Sequence, residues 1–490
     1  MQAQRYIRIL SDLPEHPRRS FWLMMVMTAF FSLFRLGAHP LMEWDESLHG
    51  ELALQMLQRG DWLNYFFGGQ PEAWFAKPPL ALWAVAASYK LFGTNAFALR
   101  LPSALAMIVA FGFVFRSIAM YKGPRFAFFS CCILLSVKGL IGDHVGRSGD
   151  TDALLVCWMM IASWHFLRLA DFGEKQHGIW LGIFLGLAFW TKGPTALIFV
   201  PAWLIYLMVR KKLRHILMTP QLWIGSLFFV GLVGSWIWLS LRYGQTFPDR
   251  PFMGENSLET MLRYDILDRF LQKGHEDDQY GIFFFPLVLD AKFNLWNYVG
   301  YALLLFSLFK GRLTGIFTKD DKGHLHLYSL LIWLSLAVFL SLTATKKSWY
   351  MAPVWPFLAI NLWGMIVWYW DKRSWLPYVF AVVFLLTLGI RIWDISIPEK
   401  QDPFLIQNQS VFTSSKPIIF SSRSPMKRFL GTHFLQPETQ LNPKLMTAEL
   451  VAGILYVIPV ADLPPYQRKY PQLEIVFQDK HNLVFTLPTP

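Results

Sequence analysis

Long apolar stretches alternate with short polar breaks along most of the 490 residues. About eleven of these stretches approach the roughly 20 residues that a helix needs to cross the hydrocarbon layer of a membrane. The first follows a basic segment with Arg5, Arg8, Arg18 and Arg19, which predicts an N-terminus on the cytoplasmic side. No small-residue cleavage site follows this stretch, so we expect an uncleaved transmembrane helix and not a signal peptide.

The order of the spans predicts the domain organisation. A cytoplasmic N-terminus places the most basic loop, "RKKLRH" at 210–215, on the cytoplasmic side, as the positive-inside rule requires. An odd number of spans leaves residues 395–490 outside, where "KPIIFSS", "GILYVIPV" and "LEIVFQD" read as short strands. We therefore expect an all-α polytopic membrane domain over 1–394, with an interfacial or re-entrant helix at 78–92, and a small α/β extracytoplasmic domain over 395–490.

Composition agrees with a membrane protein, because the chain is 54% hydrophobic and only 16% charged. The net charge of +12 does not indicate a nucleic-acid partner, since many Lys and Arg residues lie in short clusters between apolar stretches, where they set topology and contact lipid headgroups. Cys131, Cys132 and Cys157 lie within apolar stretches without CxxC spacing. Neither a disulfide framework nor a zinc ribbon is expected.

Most of the polar clusters fall on the outer side of this topology, whereas solvated loops without a shared role would fall on both sides. The clusters are Asp45 with Glu46, "AKPP" at 76–79, "RSGDTD" at 147–152, "TKGP" at 191–194, "KGHEDDQY" at 273–280 and "TKKSWY" at 345–350.

Two pairs of acids are the first candidates for chemistry. Asp45 and Glu46 follow the first span, and a carboxylate near the hydrocarbon boundary is costly unless it is paired or faces a water-filled cavity. The structural alternative is that Asp45 or Ser47 caps a helix while Glu46 lies on its wet face. Asp150 and Asp152 precede a later span, and there the alternative is an N-cap role for Asp150.

Lysines beside these acids are the second group. Lys77 precedes a proline, and its ammonium suits a phosphate as a point charge. Lys192, Lys346 and Lys347 offer the same charge, and Tyr350 adds a phenolic donor to the last cluster. For each lysine alone, the alternative is an ammonium that reaches the lipid headgroups.

Acids and lysines around one outward cavity match the electrostatic needs of glycosyl transfer from a lipid-linked phosphate sugar. A carboxylate activates a hydroxyl or amine, and cations stabilise the phosphate that leaves. No Gly-rich loop favours a soluble nucleotide-sugar donor. Two other classes stay open: a transporter or flippase, which predicts charges at mid-membrane depth and inverted repeats, and a structural assembly subunit.

The ordered motifs "WDE", "KPPLALW", "RSGDTDALL", "GLAFWTKGP" and "TKKSWYMAPVWP" resemble the bacterial aminoarabinose transferases and their relatives, the dolichyl-phosphate-mannose protein mannosyltransferases. The similarity covers about 44–356. It implies the GT-C membrane fold, a polyprenyl-phosphate-linked sugar donor, inversion at the anomeric carbon, and a lipid, protein or glycan acceptor. It also implies a bacterial inner-membrane protein whose site faces the periplasm or cell exterior, and we expect a monomer.

The resemblance also implies site roles. Asp45 would be the catalytic carboxylate that orients or deprotonates the acceptor, and Glu46 would support it. Asp152 would be a second site carboxylate with Asp150 as its neighbour, and Lys77 would hold the donor phosphate. The remaining candidates are Tyr350 with Lys346 or Lys347 in the phosphate pocket, His275 as a loop histidine of the family, and Arg147, Lys192 and Tyr280.

Two departures from the aminoarabinose transferases limit what the resemblance implies. Those enzymes read "DE.RYAE" where this chain has "DESLHGE", so Leu48 and His49 replace an Arg-Tyr pair. They read "FEKP" where this chain has "FAKP", so Ala76 replaces a carboxylate that can hold zinc with the loop histidine. We therefore assign no metal ligands and no firm cofactor, with a divalent cation as the alternative, and we leave the sugar unnamed.

Overall fold

The structure is a computed structural model. It describes residues 16–39, 41–42, 45–67, 70–73, 75–142, 144–246, 256–268, 284–309, 324–370, 376–397, 418–420, 439–441, 449–478 and 482–488.

Helices dominate the described chain. In order, they are α1 Pro17–Leu33, α2 Asp45–Arg59, α3 Leu80–Phe92, α4 Ala96–Ser136, α5 Asp152–Phe172, α6 His177–Lys192, α7 Val200–Val209, α8 Leu213–Leu217, α9 Pro220–Tyr243, α10 Ser257–Thr260, α11 Phe284–Phe293, α12 Leu295–Phe309, α13 His324–Leu342, α14 Trp355–Trp370, α15 Leu376–Ser396 and α16 Leu463–Lys469. Short 3₁₀ helices cover Gly193–Leu197, Ser348–Val354 and Val460–Asp462, and a π-helix covers Met261–Asp268.

Within the described residues, six helices are long and apolar enough to cross a membrane, or seven if one bent pair is a single span. This confirms the predicted all-helical polytopic class, whereas the predicted number of eleven spans is not confirmed. The bent pair joins His177–Leu197, which is α6 with the short helix after it, to α7, and the two segments meet at 67° between Leu197 and Val200, just after "TKGP". The sequence predicts two short spans there, and the structure has either one broken span or a re-entrant loop.

Two other helices agree with the spans and the interfacial helix predicted from the sequence. The helical run α4 is divided by Gly123, whose φ of 83° lies in the left-handed region that favours glycine. This division falls in the "YKGPR" break between two predicted spans. Helix α3 has 13 residues, a length of about 20 Å, which is short of the roughly 30 Å hydrocarbon layer. That length suits the interfacial or re-entrant helix predicted at 78–92.

Glycines allow α6 and α9 to pack backbone against backbone. A Cβ atom at Gly182 would lie 1.9 Å from the carbonyl oxygen of Gly225, and one at Gly178 would lie 2.8 Å from the backbone nitrogen of Leu222. Small residues at four-residue spacing permit such close crossings in membranes, where van der Waals packing replaces the hydrophobic effect as the driving force. This contact fixes α9 against α6.

A charged cluster lies at the C-terminal end of α5. Asp171 accepts hydrogen bonds from the hydroxyls of Tyr121 and Tyr206 and from Lys212, whose Nζ lies 3.0 Å from Oδ1. Arg210 lies 3.8 Å away. We call this the Asp171 end of the bundle. Its cations come from the "RKKLRH" loop, the most basic in the chain.

The strands are short. Strands β1 Phe66–Phe67 and β2 Gln70–Pro71 form a small antiparallel pair. Strands β3 Ile418–Phe420, β4 Thr439–Leu441, β5 Leu455–Pro459, β6 Glu474–Gln478 and β7 Asn482–Thr486 form one mixed sheet in the order β4-β3-β5-β7-β6. One face of this sheet packs on α2, because Leu455, Val457 and Val484 share a buried cluster with Leu48 and Leu52. The domain boundary at 395 stays a prediction.

Candidate functional site

The predicted acidic residues meet at one end of the bundle, which we call the carboxylate end. It combines the N-terminus of α2, the loop 137–151, the N-terminus of α5 and the segment 343–354. Helix α5 has 21 residues and rises about 1.5 Å per residue, so the carboxylate end lies about 30 Å from the Asp171 end.

Glu46 is fully buried and holds this end together. Its Oε1 accepts hydrogen bonds from Nε of Arg100 at 2.7 Å and from the backbone nitrogen of Gly149 at 2.9 Å. Its Oε2 accepts from Nη2 of Arg100 at 2.9 Å and from the backbone nitrogen of Met42 at 2.8 Å. Both oxygens are therefore engaged by donors from three separate segments. This geometry favours the supporting role that the resemblance implies for Glu46.

Asp45, the neighbouring residue, is different. Its side chain is only half-buried, and it makes no hydrogen bond or ion pair with another described residue. One of its oxygens lies within 4.8 Å of a ring nitrogen of His144 and of a carboxylate oxygen of Asp150. Asp45 is thus held at the mouth of the site with its charge available to a bound molecule.

Asp150 lies between two histidines. Nδ1 of His49 is 3.2 Å from Oδ1 and Nδ1 of His144 is 3.2 Å from Oδ2, while the hydroxyl of Ser148 donates to Oδ2 at 2.8 Å. Burial alone would raise the pKa of Asp150, but the hydrogen-bonding and charge of the two histidines outweigh burial and hold that pKa well below its usual range. Asp150 is therefore ionised, and it does not cap α5 as the structural alternative required.

His144 is fixed on its ring face as well as on its edge. Its imidazole stacks on the indole of Trp349, with ring centroids 4.1 Å apart and planes 12° apart. Burial lowers the pKa of His144, but Asp150, Asp45 and Asp152 together raise it above its ordinary value. The side chain keeps 25% of its surface exposed, so the ring is accessible from the mouth.

Asp152 pairs with Lys192. The ammonium lies 2.6 Å from Oδ1 and 2.7 Å from Oδ2, and both side chains are nearly buried. The same ammonium lies 5.3 Å from the ring centroid of Tyr350. This pair joins α5 to the end of α6 and brings "RSGDTD", "TKGP" and "TKKSWY" together. The snorkelling alternative does not describe Lys192, because its ammonium faces a carboxylate inside the protein.

The other predicted cations lie around this centre. Lys77 is half-buried, with Nζ 5.1 Å from the ring centroid of Phe75, and that ring lies 5.1 Å from the ring of His49. Lys346 donates to the carbonyl of Thr343 at 2.7 Å, and Lys347 is half-buried next to it. All three could move their charge toward a phosphate by a change of rotamer, since lysine side chains are long and flexible.

Arg147 has a structural role. Its guanidinium donates to the carbonyls of Phe31 and Ser32 at 2.9 Å and 3.2 Å, and to that of Arg35 at 3.3 Å. These carbonyls belong to the C-terminal turn of α1, where the last carbonyls of a helix lack partners within the helix. Arg147 therefore fastens the loop 137–151 to α1. His275 and Tyr280 lie outside the described residues.

The zinc arrangement of the aminoarabinose transferases does not fit the described residues. Ala76 is buried and offers no ligand atom, as the sequence indicated. A second grouping exists, because Asp45, His144 and Asp150 each place one ligand atom within 4.8 Å of the others. That spacing can hold a cation, although Asp150 already contacts two imidazoles.

Sequence reasoning did not identify Arg100, His49, His144 or Trp349 as site residues. His49 carried a usable signal, because residues four apart on a helix share a face and His49 follows Asp45 by four. His144 lies in the same short break as Asp150. Arg100 and Trp349 carried no signal in the sequence, because they are distant along the chain from Glu46 and His144, the residues that they contact.

Comparisons with known proteins agree with this architecture. Residues 76–238 match the model of the family described as dolichyl-phosphate-mannose-protein mannosyltransferase. The undecaprenyl phosphate-alpha-4-amino-4-deoxy-L-arabinose arabinosyl transferase of Pseudomonas aeruginosa (strain UCBPP-PA14) is 30% identical over 210 residues, which are 41% of this chain and 37% of that protein. The enzyme of the same name from Aeromonas hydrophila is 30% identical over 181 residues, 36% of this chain and 32% of that one. The matches thus span about a third of the length of these relatives.

Solved structures extend the similarity to the whole chain. The crystal structure of ArnT from Cupriavidus metallidurans bound to undecaprenyl phosphate superposes with a TM-score of 0.70, covering 96% of this chain and 98% of that one at 16% sequence identity. The apo crystal structure of the same protein gives a TM-score of 0.67 at 15% identity. The chain therefore has the GT-C membrane fold of the ArnT structures, which confirms the resemblance predicted from its motifs.

Proposed function

We propose that this chain is an integral-membrane glycosyltransferase that moves a monosaccharide from a polyprenyl-phosphate donor to a lipid, protein or glycan acceptor, with inversion, on the outer face of the inner membrane. The observation that carries the proposal is a half-buried carboxylate, Asp45, near Asp150, which two histidines contact, and Asp152, which pairs with a lysine. The relatives named as arabinosyl transferases and the fold shared with a structure bound to undecaprenyl phosphate support it.

The roles follow from the charges. Asp45 orients or deprotonates the acceptor, because its carboxylate is half-buried and makes no hydrogen bond or ion pair with another residue that the structure describes. Lys77, with Lys346 and Lys347, stabilises the phosphate that leaves, while Lys192 stays on Asp152 and keeps that part of the site rigid. Stabilisation of developing charge by groups already in place is usually the largest contribution to catalysis.

A transporter or flippase is not favoured. Such proteins hold their substrate near the bilayer midplane, between repeats and at breaks within helices. The acidic clusters described here lie at the ends of helices, one at the carboxylate end and one around Asp171. The bent pair breaks between Leu197 and Val200, a few residues after Lys192, which itself belongs to the carboxylate end.

The test is transfer in proteoliposomes loaded with polyprenyl-phosphate monosaccharides of several sugars, with membrane lipid and protein extracts as acceptors. Released polyprenyl phosphate is measured by mass spectrometry. Asp45→Asn should lower release by about a hundredfold or more, the usual scale for losing an acid–base group, while binding of polyprenyl phosphate persists. Glu174→Gln is the matched control, because Glu174 is a partly exposed carboxylate just beyond the far end of α5. Failure of the unaltered protein to release polyprenyl phosphate from any donor would contradict the proposal.

A further inference from the structure

His144 has an unusual backbone conformation. Its φ is 63°, in the left-handed region that side chains other than glycine rarely adopt. Such conformations persist where the surrounding contacts over-determine them, and they cluster at functional sites. Here the contacts are the stacked indole of Trp349 on the ring face and the carboxylate of Asp150 on the ring edge. These contacts therefore define the orientation of the imidazole plane and of its Nδ1 edge within the loop.

The surroundings also fix where the histidine protons lie. Nδ1 of His49 is 3.1 Å from the carbonyl oxygen of Gly149 and 3.2 Å from Asp150, two acceptors, so it carries a proton. Nδ1 of His144 makes no hydrogen bond with a described residue, but it lies 3.2 Å from Oδ2 of Asp150, and this negative charge favours a proton on Nδ1 and leaves the lone pair on Nε2. Of the two imidazoles, that of His49 is buried, with 3% of its side chain exposed, whereas that of His144 is accessible at 25%.

We propose that His144 is the general base of the transfer, with Asp150 as its positioning residue and Asp45 as the group that orients the acceptor. This inference rests on the proposed function and deepens it. In the step, the acceptor hydroxyl gives its proton to Nε2 of His144 while its oxygen forms a bond to the anomeric carbon. The bond from that carbon to the phosphate oxygen breaks, and its electron pair leaves with the polyprenyl phosphate.

The proposal defines the class of acceptor. A phosphate oxygen is already ionised at neutral pH and needs no base, whereas a sugar or side-chain hydroxyl must lose a proton as it attacks. A base held by a buried carboxylate is thus expected for a hydroxyl acceptor. The carboxylate of Asp150, 3.2 Å from Nδ1 of His144, stabilises the imidazolium that forms when the ring accepts the proton.

The first test is chemical rescue of His144→Gly. Glycine adopts a φ of 63° without strain, so this variant should fold as the unaltered protein does, and it leaves an imidazole-sized space on Trp349. Release of polyprenyl phosphate should fall about a hundredfold or more and then rise with added free imidazole. Asp45→Asn should gain nothing from imidazole, which controls for general effects of the additive. Full activity of His144→Gly, or its failure to respond to imidazole, would overturn the proposal.

The second test is the pH profile of His144→Asn, since asparagine tolerates the left-handed region and does not titrate. In the unaltered protein the rate should rise with pH through the pKa of His144, with Asp45, Asp150, Asp152 and His49 as the neighbouring titratable groups. The variant should lose that rise. The alternative result is that the unaltered protein loses activity in EDTA and recovers it when Zn²⁺ or Mn²⁺ is added. That result would show a cation between Asp45, His144 and Asp150 and would refute the role of His144 as general base. Inactivity of the unaltered protein toward every donor is the separate failure of the proposed function.

Discussion

Two adjacent carboxylates, Asp45 and Glu46, should have opposite phenotypes. The structure makes Glu46 a buried link and leaves Asp45 half-buried, where we propose that it meets the acceptor, although the sequence presents them as one acidic pair. We predict that Glu46→Gln lowers the free energy of unfolding and leaves the chemistry of the remaining folded protein largely intact. Asp45→Asn should leave the free energy of unfolding nearly unchanged and should remove most of the transfer activity.

The expected loss of stability in Glu46→Gln follows from the hydrogen-bond donors around Glu46. Each of its oxygens accepts one hydrogen bond from Arg100 and one from a backbone nitrogen. A glutamine must turn its amide nitrogen toward one of these pairs, so two buried donors lose their acceptor at about 1–3 kcal/mol each. The guanidinium also loses its counter-charge, and breaking a buried ion pair costs about 3–5 kcal/mol. Both routes give several kcal/mol, whereas a half-exposed residue such as Asp45 should change stability by about 0.5 kcal/mol or less.

The assay is unfolding of the purified protein in mixed micelles, followed by circular dichroism during titration with a denaturing detergent. Activity is measured on the folded fraction in the same preparations. The double variant Glu46→Gln, Arg100→Met should regain part of the stability, because it removes the uncompensated guanidinium. If Glu46→Gln were as stable as the unaltered protein and as inactive as Asp45→Asn, Glu46 would be a reacting group and this reasoning would be wrong.

Three further predictions test the surrounding framework. Gly182→Leu should destabilise the protein by about 3 kcal/mol or more, because the added side chain has no room where α6 crosses α9. Gly231→Leu should be tolerated, because a Cβ at Gly231 meets open space. Thermal unfolding of the two variants compares these effects. Val457→Asp should lower transfer at least about tenfold by placing a charge in the cluster behind α2, whereas Val476→Asp on an exposed strand position should not. Because the folded pKa of His144 is raised, the stability it adds is present below about pH 6.5 and is lost as pH rises through the folded pKa, so His144→Asn should be less stable than the unaltered protein only on the acidic side of a pH series of unfolding curves.

The sequence predicts which residues are unusual better than it predicts what they contact. The cost of charge near hydrocarbon singles out Asp45, Asp150 and Asp152 whatever the fold. Their partners come from tertiary structure: Glu46 and Arg100 are 54 residues apart, and Asp152 and Lys192 are 40 apart. No local periodicity reports such pairs, because they depend on how the start of α2 lies beside the start of α4 and on how the end of α6 lies beside the start of α5.

The same limit applies to the number of spans. Apolar length and charged breaks identify where helices begin and end, as the left-handed Gly123 within "YKGPR" illustrates. They do not distinguish a pair of short spans from one bent element, and the 67° break between α6 and α7 is such a case. The contact of Lys192 with Asp152 holds the end of α6 against α5, a few residues before that break.

Helix α2 connects the site to the C-terminal sheet. Leu48 and Leu52, four residues apart, face the sheet cluster with Val457, whereas Asp45 and His49, also four apart, face the carboxylate end. Leu48 and His49, which replace the Arg-Tyr pair of the aminoarabinose transferases, therefore lie on different faces of one helix. One replaces a polar residue by an apolar contact with the sheet, and the other supplies the imidazole that holds Asp150. The departure thus changes the support of the helix and the charge of the site together, which argues that donor or acceptor selectivity in this chain is set at α2 and not within the spans.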